Sequence, residues 1–413
     1  MTLHYEDAGL RLWHGSNKNI LPTFEDASFD SIVTDPPYEL GFMGKGWDST
    51  GVAFDVDVWR ECLRVLKPGG HLLAFGGSRT WHRMAVAIED AGFEIRDSIA
   101  WLYGEGFPKS MDVSKAIDKT LGAEREVTRP AARSPLDSGS TVGFDQRISI
   151  ERERRDEPAT EAARAWKGWG TALKPAFEPI IVARKPLSGT VAANVLAHGT
   201  GALHIDACRI PGQWSTWQVQ QEKPLAPNTP ATASVGWGNG YVGEQHPGGR
   251  HPANLVLDES QAQRLDDEVG ILKSGALKPY QENHENASSY RINRDRGKTY
   301  ESPANEGGPS RFFPTFRYEG KARRSERPEV DGAQHATVKP LELMRWLIRL
   351  VTRPGGRVLD LYAGSGTTGE AALLEGMEVD LIEIEADHLP LILQRIRKPL
   401  QPSMFGDWEG GAA

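Results

Sequence analysis

The sequence predicts an α/β protein whose parallel sheet is assembled from both ends of the chain, with a long irregular insert between them. Three observations carry that expectation. Strand-like and helix-like segments alternate from Asp30 to Tyr103 and again from Thr337 onward, the rhythm of a parallel sheet covered on both faces. The stretch between, 121–330, is rich in glycine, proline, serine and asparagine and has little sustained periodicity. A glycine-rich turn of the kind that opens nucleotide-binding folds then follows, with too little chain after it to finish a doubly wound sheet. The missing strands must come from the N-terminal half.

Each element has its own local cause. Ser31-Ile32-Val33-Thr34 reads as a buried strand halted by Asp35-Pro36-Pro37-Tyr38, because proline cannot donate to a sheet ladder. Val58, Trp59, Cys62, Val65 and Leu66 share one face of a helix over 56–66, which stops at Lys67-Pro68-Gly69-Gly70. His71 to Phe75 is a strand closed by Gly76-Gly77, residues 79–91 are helical up to Gly92, and 93–103 contains a further strand. In the irregular middle, 179–183 and 253–257 are strand-like, while the charge run 151–155 is a solvated helix face or disorder. Pro340 opens a helix to Val351, placed where its missing N–H costs nothing. A strand (357–361), a turn (362–366), a helix (367–375), a strand (378–384) and a helix near 387–397 complete the series.

Composition narrows the function classes. Of 413 residues, 39% are apolar and 25% charged, ordinary for a soluble enzyme. No apolar run approaches the roughly 18 residues of a membrane helix, and the N-terminal stretch lacks a signal-peptide core, so membrane and secreted readings are set aside and a cytoplasmic location is expected. Two cysteines, Cys62 and Cys208, make neither a disulfide framework nor a cysteine-rich zinc site, and the eleven histidines lack metal-binding spacing, so no metal is expected. The net charge of −8 is wrong on average for a polyanion, so any nucleic-acid contact must be local. Arg317, Lys321, Arg323, Arg324 and Arg327 against Glu319 and Glu326 form the best such cluster, with Arg291, Arg294, Arg296 and Lys298 a second.

Gly364-Ser365-Gly366-Thr367-Thr368-Gly369 matches G-x-G-x-x-G, follows a strand and opens a helix, and Glu383 lies nineteen residues beyond Gly364. That context describes a Rossmann-like nucleotide turn in which an acid accepts hydrogen bonds from ribose hydroxyls. On the motif alone, NAD and S-adenosylmethionine fit equally. Asp360 separates them: a carboxylate beside the turn repels a pyrophosphate and favours a sulfonium and an ammonium. Glu385 shares a strand face with Glu383 and is the alternative ribose acid.

Asp35-Pro36-Pro37-Tyr38 suits a particular chemistry. An exocyclic amine on a nucleobase is a poor nucleophile because its lone pair is delocalised into the ring. The Asp35 carboxylate and the Pro36 carbonyl can each accept one amine N–H, freeing the lone pair and stabilising positive charge as a methyl arrives. Tyr38 offers a face on which a base taken out of the helix can stack.

Together, Asp35-Pro-Pro-Tyr38 and Asp360-Leu-Tyr-Ala-Gly-Ser-Gly366-Thr-Thr resemble the S-adenosylmethionine-dependent DNA amino-methyltransferases, which methylate adenine N6 or cytosine N4. The catalytic motif precedes the cofactor turn, as in the beta-class arrangement of that family. Gly41–Asp48 and Lys174–Pro179 look like phage and prophage members. The resemblance implies a Rossmann-like methyltransferase sheet, with 1–120 as its catalytic half, 121–330 as a target-recognition insert and 331–413 as its cofactor half. It implies catalytic roles for Asp35, Pro36, Pro37 and Tyr38. Cofactor contacts would come from Asp360, Tyr362, Ala363, Gly364, Ser365, Gly366, Thr367 and Glu383, with Thr337 and Lys339 at the methionine end. The basic residues 317–327 would contact DNA. Asp at the first motif position leans towards adenine, since cytosine-N4 members more often carry Ser. A cytosine-N4 enzyme and a non-catalytic DNA-binding protein of the same fold are the alternatives. DNA is the expected partner, a restriction-modification setting fits, and a homodimer is left open.

Overall fold

Apolar side chains leave each central strand alternately on its two faces, which requires cover on both. In the computed structural model, Val33, Leu73, Phe75, Val182, Val358 and Leu381 belong to one buried cluster. Their chain neighbours Ile32, Leu72, Ala74, Ile181, Leu359 and Ile382 belong to the other. The structure describes residues 2–7, 9–40, 50–104, 106, 110–126, 132–133, 150–151, 156–211, 249–274, 305–316, 328–330, 333–334 and 338–397.

The sheet has ten strands: β1 (Thr2–Asp7), β2 (Leu10–His14), β3 (Phe29–Thr34), β4 (Leu66–Phe75), β5 (Glu94–Leu102), β6 (Phe177–Arg184), β7 (Leu255–Asp258), β8 (Thr315–Phe316), β9 (Arg357–Asp360) and β10 (Glu378–Glu383). Their spatial order is β1-β2-β10-β9-β3-β4-β6-β5-β7-β8. The β1–β2 hairpin is antiparallel, β6 runs antiparallel to both β4 and β5, and every other neighbouring pair is parallel.

Helices α1 (Val56–Val65) and α2 (Trp81–Asp90) cover one face, burying Trp59, Cys62, Met84 and Ile88 against Ile32 and Leu72. The Asp55 side chain caps α1 by accepting from the Asp57 amide at 3.0 Å. On the other face lie α3 (Leu341–Val351), α4 (Thr367–Leu374) and α5 (Leu389–Ile396), contributing Leu343, Leu347, Ala371, Leu389 and Ile392. Pro340 is the N-cap of α3, one residue outside the helix it was expected to begin.

The two chain ends meet in the middle of the sheet. Val358 pairs with Ser31 and Leu359 with Ile32. Asp30 pins the start of this pairing, accepting from the Arg357 amide at 2.9 Å and holding the Lys67 ammonium at 2.8 Å. From β3 the chain moves to β4 on one side; from β9 it moves to β10 on the other. β3 and β9 therefore flank the point where the winding reverses, and ligands of open α/β sheets sit beyond the C-terminal ends of such strands.

The expected boundaries at 120 and 330 do not describe the compact units. One unit comprises 1–104 with 177–413, the other 105–176. The cause is hydrogen bonding: β6 and β7, both inside the expected insert, are ladder strands of the central sheet. Within the smaller unit, Asp118 ties two helices together, accepting from the Thr160 hydroxyl and from Arg125, each at 2.7 Å. The β1–β2 hairpin was not anticipated, and β4 begins at Leu66, five residues before the expected start.

Candidate active site

β3 ends at Thr34, and the next residues cannot continue the ladder because prolines 36 and 37 carry no N–H. The segment is held instead by side chains and close packing. Thr80 donates its hydroxyl to the Tyr38 carbonyl at 2.7 Å. A Cβ at Gly77 would sit 3.2 Å from the Tyr38 ring and its Cβ, so the glycine that closes β4 also makes room for this tyrosine.

Asp35 and Tyr38 meet Lys339, which stands just before α3. The Lys339 ammonium donates to Asp35 Oδ2 at 2.7 Å and to the Tyr38 hydroxyl at 3.0 Å. Its third neighbour is Glu178 Oε2 at 3.3 Å, and Tyr38 donates its own hydroxyl proton to that oxygen at 2.8 Å. Side-chain exposure is 27% for Asp35, 19% for Glu178 and 11% for Lys339, so these charges act at short range with little water between them. Lys339 also packs over the rings of Tyr38 and Phe75, 5.2 and 4.9 Å from their centroids. Burial works against its charge, but Asp35 and Glu178 outweigh burial and raise its pKa above the usual lysine value. Burial, followed by the fields of Asp35 and Glu178, pushes the Tyr38 phenol well up, so it stays a neutral donor. Asp35 Oδ1 is buried and has no hydrogen-bond partner among the described residues.

The glycine turn lies beside this cluster. Asp360, at the end of β9, accepts from the Thr34 hydroxyl at 2.7 Å and the Tyr362 amide at 3.0 Å. Burial raises its carboxyl to about 6, against the lowering effect of bonds from Thr368, Thr34 and Tyr362, and the field of Asp35 adds to the rise. Gly364 and Gly366 take φ of 54° and 79°. A Cβ at Gly366 would lie 3.0 Å from Ile392 of α5, so conformation and packing both call for glycine there. Arg395, itself 1% exposed, donates to the Ser365 carbonyl at 2.9 Å and holds the turn from behind. Thr367 begins α4 and its hydroxyl lies 3.3 Å from that of Ser365. Ala363 is fixed by its amide bond to the Ile382 carbonyl at 2.9 Å.

Glu383 faces the turn: its Oε2 accepts from the Gly364 amide at 2.7 Å and its Oε1 from the Glu385 amide at 2.8 Å. Glu385 itself is exposed, so of the two candidate acids Glu383 is the one built into the turn. His388 Nδ1 stands 3.3 Å from Glu383; burial opposes its charge, but the carboxylate outweighs that and raises its pKa.

Among the expected site residues, Asp35, Tyr38 and Lys339 form one contact cluster, Gly364 bonds Glu383, and Asp360 bonds Thr34, the residue before Asp35. Lys339, expected at the methionine end of the cofactor, contacts Asp35 and Tyr38. Thr337, Arg317, Lys321, Arg323, Arg324 and Arg327 lie outside the described residues, as does the basic group 291–298. Sequence reasoning missed Glu178. The motif Lys174–Pro179 was visible, but its role depends on β6 running antiparallel: Phe75 pairs with Ile180, so the start of β6 reaches the edge at which β4 ends.

A family model described as DNA methylase matches residues 29–394. The Type II methyltransferase M.HindIII of Haemophilus influenzae is 25% identical over 321 residues, 77% of this chain and 60% of that protein. M.HpaI of Haemophilus parainfluenzae is 33% identical over 110 residues, 24% of this chain and 34% of that one. The chain thus aligns with less than two thirds of the length of either relative. Among solved structures, a DNA modification methylase from Thermus thermophilus covers 94% of both chains at 15% identity and TM-score 0.40.

Proposed function

The chain belongs to the N6/N4 DNA methylase family, and on that premise we propose that it transfers a methyl group from S-adenosylmethionine to the N6 amine of an adenine turned out of DNA. The observation that carries this reading is Asp35: one oxygen is held by Lys339, and the other is buried and unclaimed beside the glycine turn. An unmet acceptor in such a place costs stability unless a ligand uses it.

The turn fits the cofactor by its charges. Asp360 and Glu383 are 2% and 6% exposed and Asp35 is close enough to act on Asp360, so the site favours a cation and disfavours a phosphate. In this reading Asp360 and the Gly364–Gly366 backbone hold the amino-acid end, and Glu383 holds the ribose. Bound there, the cofactor supplies an electrophilic methyl group on a sulfonium. Asp35 Oδ1 accepts one N–H of the target amine and the Pro36 carbonyl accepts the other, which localises the lone pair on nitrogen. Once nitrogen carries the extra substituent, Asp35 takes the surplus proton. Tyr38 stacks on the base, and its hydroxyl bond to Glu178 fixes the ring. Arg317, Lys321, Arg323, Arg324 and Arg327 supply phosphate contacts and the region 121–330 contributes to target recognition.

The choice of adenine rests on the residue type at the first motif position: Asp35 stands where cytosine-N4 members of the family more often carry Ser, although a carboxylate would serve either amine. Digesting treated DNA to nucleosides and weighing them tests it. N6-methyladenine is expected; N4-methylcytosine would transfer the same mechanism to the other base, and unmodified DNA would remove the enzymatic reading. Tyr38→Ala is expected to weaken capture of the flipped base by about 1–3 kcal/mol, the worth of one lost stack. A 2-aminopurine placed at the target would report it as reduced fluorescence gain, and an unchanged gain would exclude Tyr38 from the stack.

A further inference from the structure

In the mechanism above Glu178 does no more than fix the Tyr38 ring, yet it is the group on which the cluster closes. Lys339 has three N–H donors and three acceptors around it: Asp35 Oδ2 at 2.7 Å, the Tyr38 hydroxyl at 3.0 Å and Glu178 Oε2 at 3.3 Å. A hydroxyl has a single proton, and that of Tyr38 is committed to Glu178 at 2.8 Å. Both groups that could otherwise turn towards Asp35 Oδ1 are thereby occupied. We propose that Glu178 is a positioning residue: by sharing the Lys339 ammonium and fixing the Tyr38 hydroxyl, it keeps one Asp35 oxygen unclaimed until the target amine arrives.

The physical case is one of competition. Without a carboxylate at 178, a mostly buried ammonium would have a donor to spare, and the free oxygen of Asp35 is the remaining acceptor of the cluster. A lysine that engages both oxygens of Asp35 blocks the amine it should receive. Glu178 also supplies charge: one ammonium between two carboxylates leaves the cluster formally negative, which suits a target that gains positive charge. The charged groups facing Lys339 are Asp35 from the β3 end and Glu178 from β6, with the phenol of Tyr38 between them. Removing the Glu178 charge removes one of the two carboxylates that hold the ammonium protonated, so Lys339 would lose its proton at lower pH.

This inference rests on the proposed methyl transfer, and its test separates the two. Single-turnover methylation is measured for the wild type, Glu178→Gln, Glu178→Asp, Lys339→Met and the double variant E178Q/K339M, with S-adenosylmethionine affinity followed by calorimetry and folding by thermal melts. The E178Q variant is expected to lose about tenfold or more in rate, with cofactor affinity and DNA KM within about threefold. Its rate–pH profile should fall off at lower pH on the alkaline side, a change that mere loosening of the fold would not produce. Glu178→Asp keeps the charge, so its alkaline limb should stay near the wild-type position. The loss in E178Q/K339M should be smaller than the product of the two single losses, since one of the two contacts of Glu178 is to that lysine and the other, to Tyr38, persists without it. A full-rate E178Q, additive losses in the double variant, or a loss traced to cofactor affinity would each overturn the inference while leaving methyl transfer intact. A wild type that modifies no DNA would remove both.

Discussion

Asp35→Ala is expected to lower the methyl-transfer rate by about 10³-fold or more, the scale of a lost charge-stabilising acceptor that also takes a proton. S-adenosylmethionine should bind within a few-fold of the wild type. The two halves of the prediction come from geometry. Asp35 stands at the end of β3, against Lys339, whereas the turn is held by its own contacts: Gly364 to Glu383, Ser365 to Arg395, and Ala363 to Ile382. The variant also leaves the Lys339 ammonium facing the target without its nearest carboxylate, adding repulsion to the missing acceptor. Calorimetry with cofactor and transfer of labelled methyl to DNA measure the two effects separately. Cofactor binding lost in step with activity would mean that Asp35 serves the cofactor and not the amine.

The second large effect is expected at Asp360, where stability and binding should move in opposite directions. Its carboxyl is raised from 3.8 to about 6, first by burial. The fold therefore prefers the protonated form. That contribution is complete below about pH 4, fades as pH rises through 6, and amounts to about 3 kcal/mol. Asp360→Asn cannot ionise, so it should melt higher than the wild type at pH 7 to 8 and close to it at pH 4. An amide forfeits the negative charge, so the same variant should bind S-adenosylmethionine at least about tenfold more weakly. In the wild type, a cationic ligand favours the ionised form, and affinity should drop about tenfold between pH 7 and pH 5. Melts and calorimetry at those pH values check all three; a pH-independent wild-type affinity would exclude Asp360 from the cofactor's field.

Local chemistry made much of this legible in the sequence. The prolines after Thr34, the face of α1, the glycines after β9 and the carboxylates at 360 and 383 are read from neighbours within a few positions, and the structure sets them where a doubly covered sheet requires. Strand character at 179–183 and 253–257 was also legible. Which neighbours those strands would take was not, because an apolar run buries equally well beside several partners and only tertiary packing decides. Glu178 was missed for that reason: its value lies in an antiparallel register that inserts β6 between β4 and β5. Lys339 was read from a motif, and the motif did not say that its ammonium would settle on Asp35. The β1–β2 hairpin went unseen because β1 is mostly exposed and offers no apolar period.

The placement of β9 and β10 between β2 and β3 has a consequence for biogenesis. Strands made late fill the centre of a sheet whose flanks are made early. A ribosome adding about 5–20 residues per second needs on the order of 15–60 s to travel from β3 to β9. Through that interval β2 and β3 each present an open ladder edge to the crowded cell, the kind of surface on which nascent chains stick together. Translation halted in the interval would release an adhesive fragment instead of a smaller enzyme, so yield should respond to chaperone supply more steeply than the stability of the finished molecule suggests.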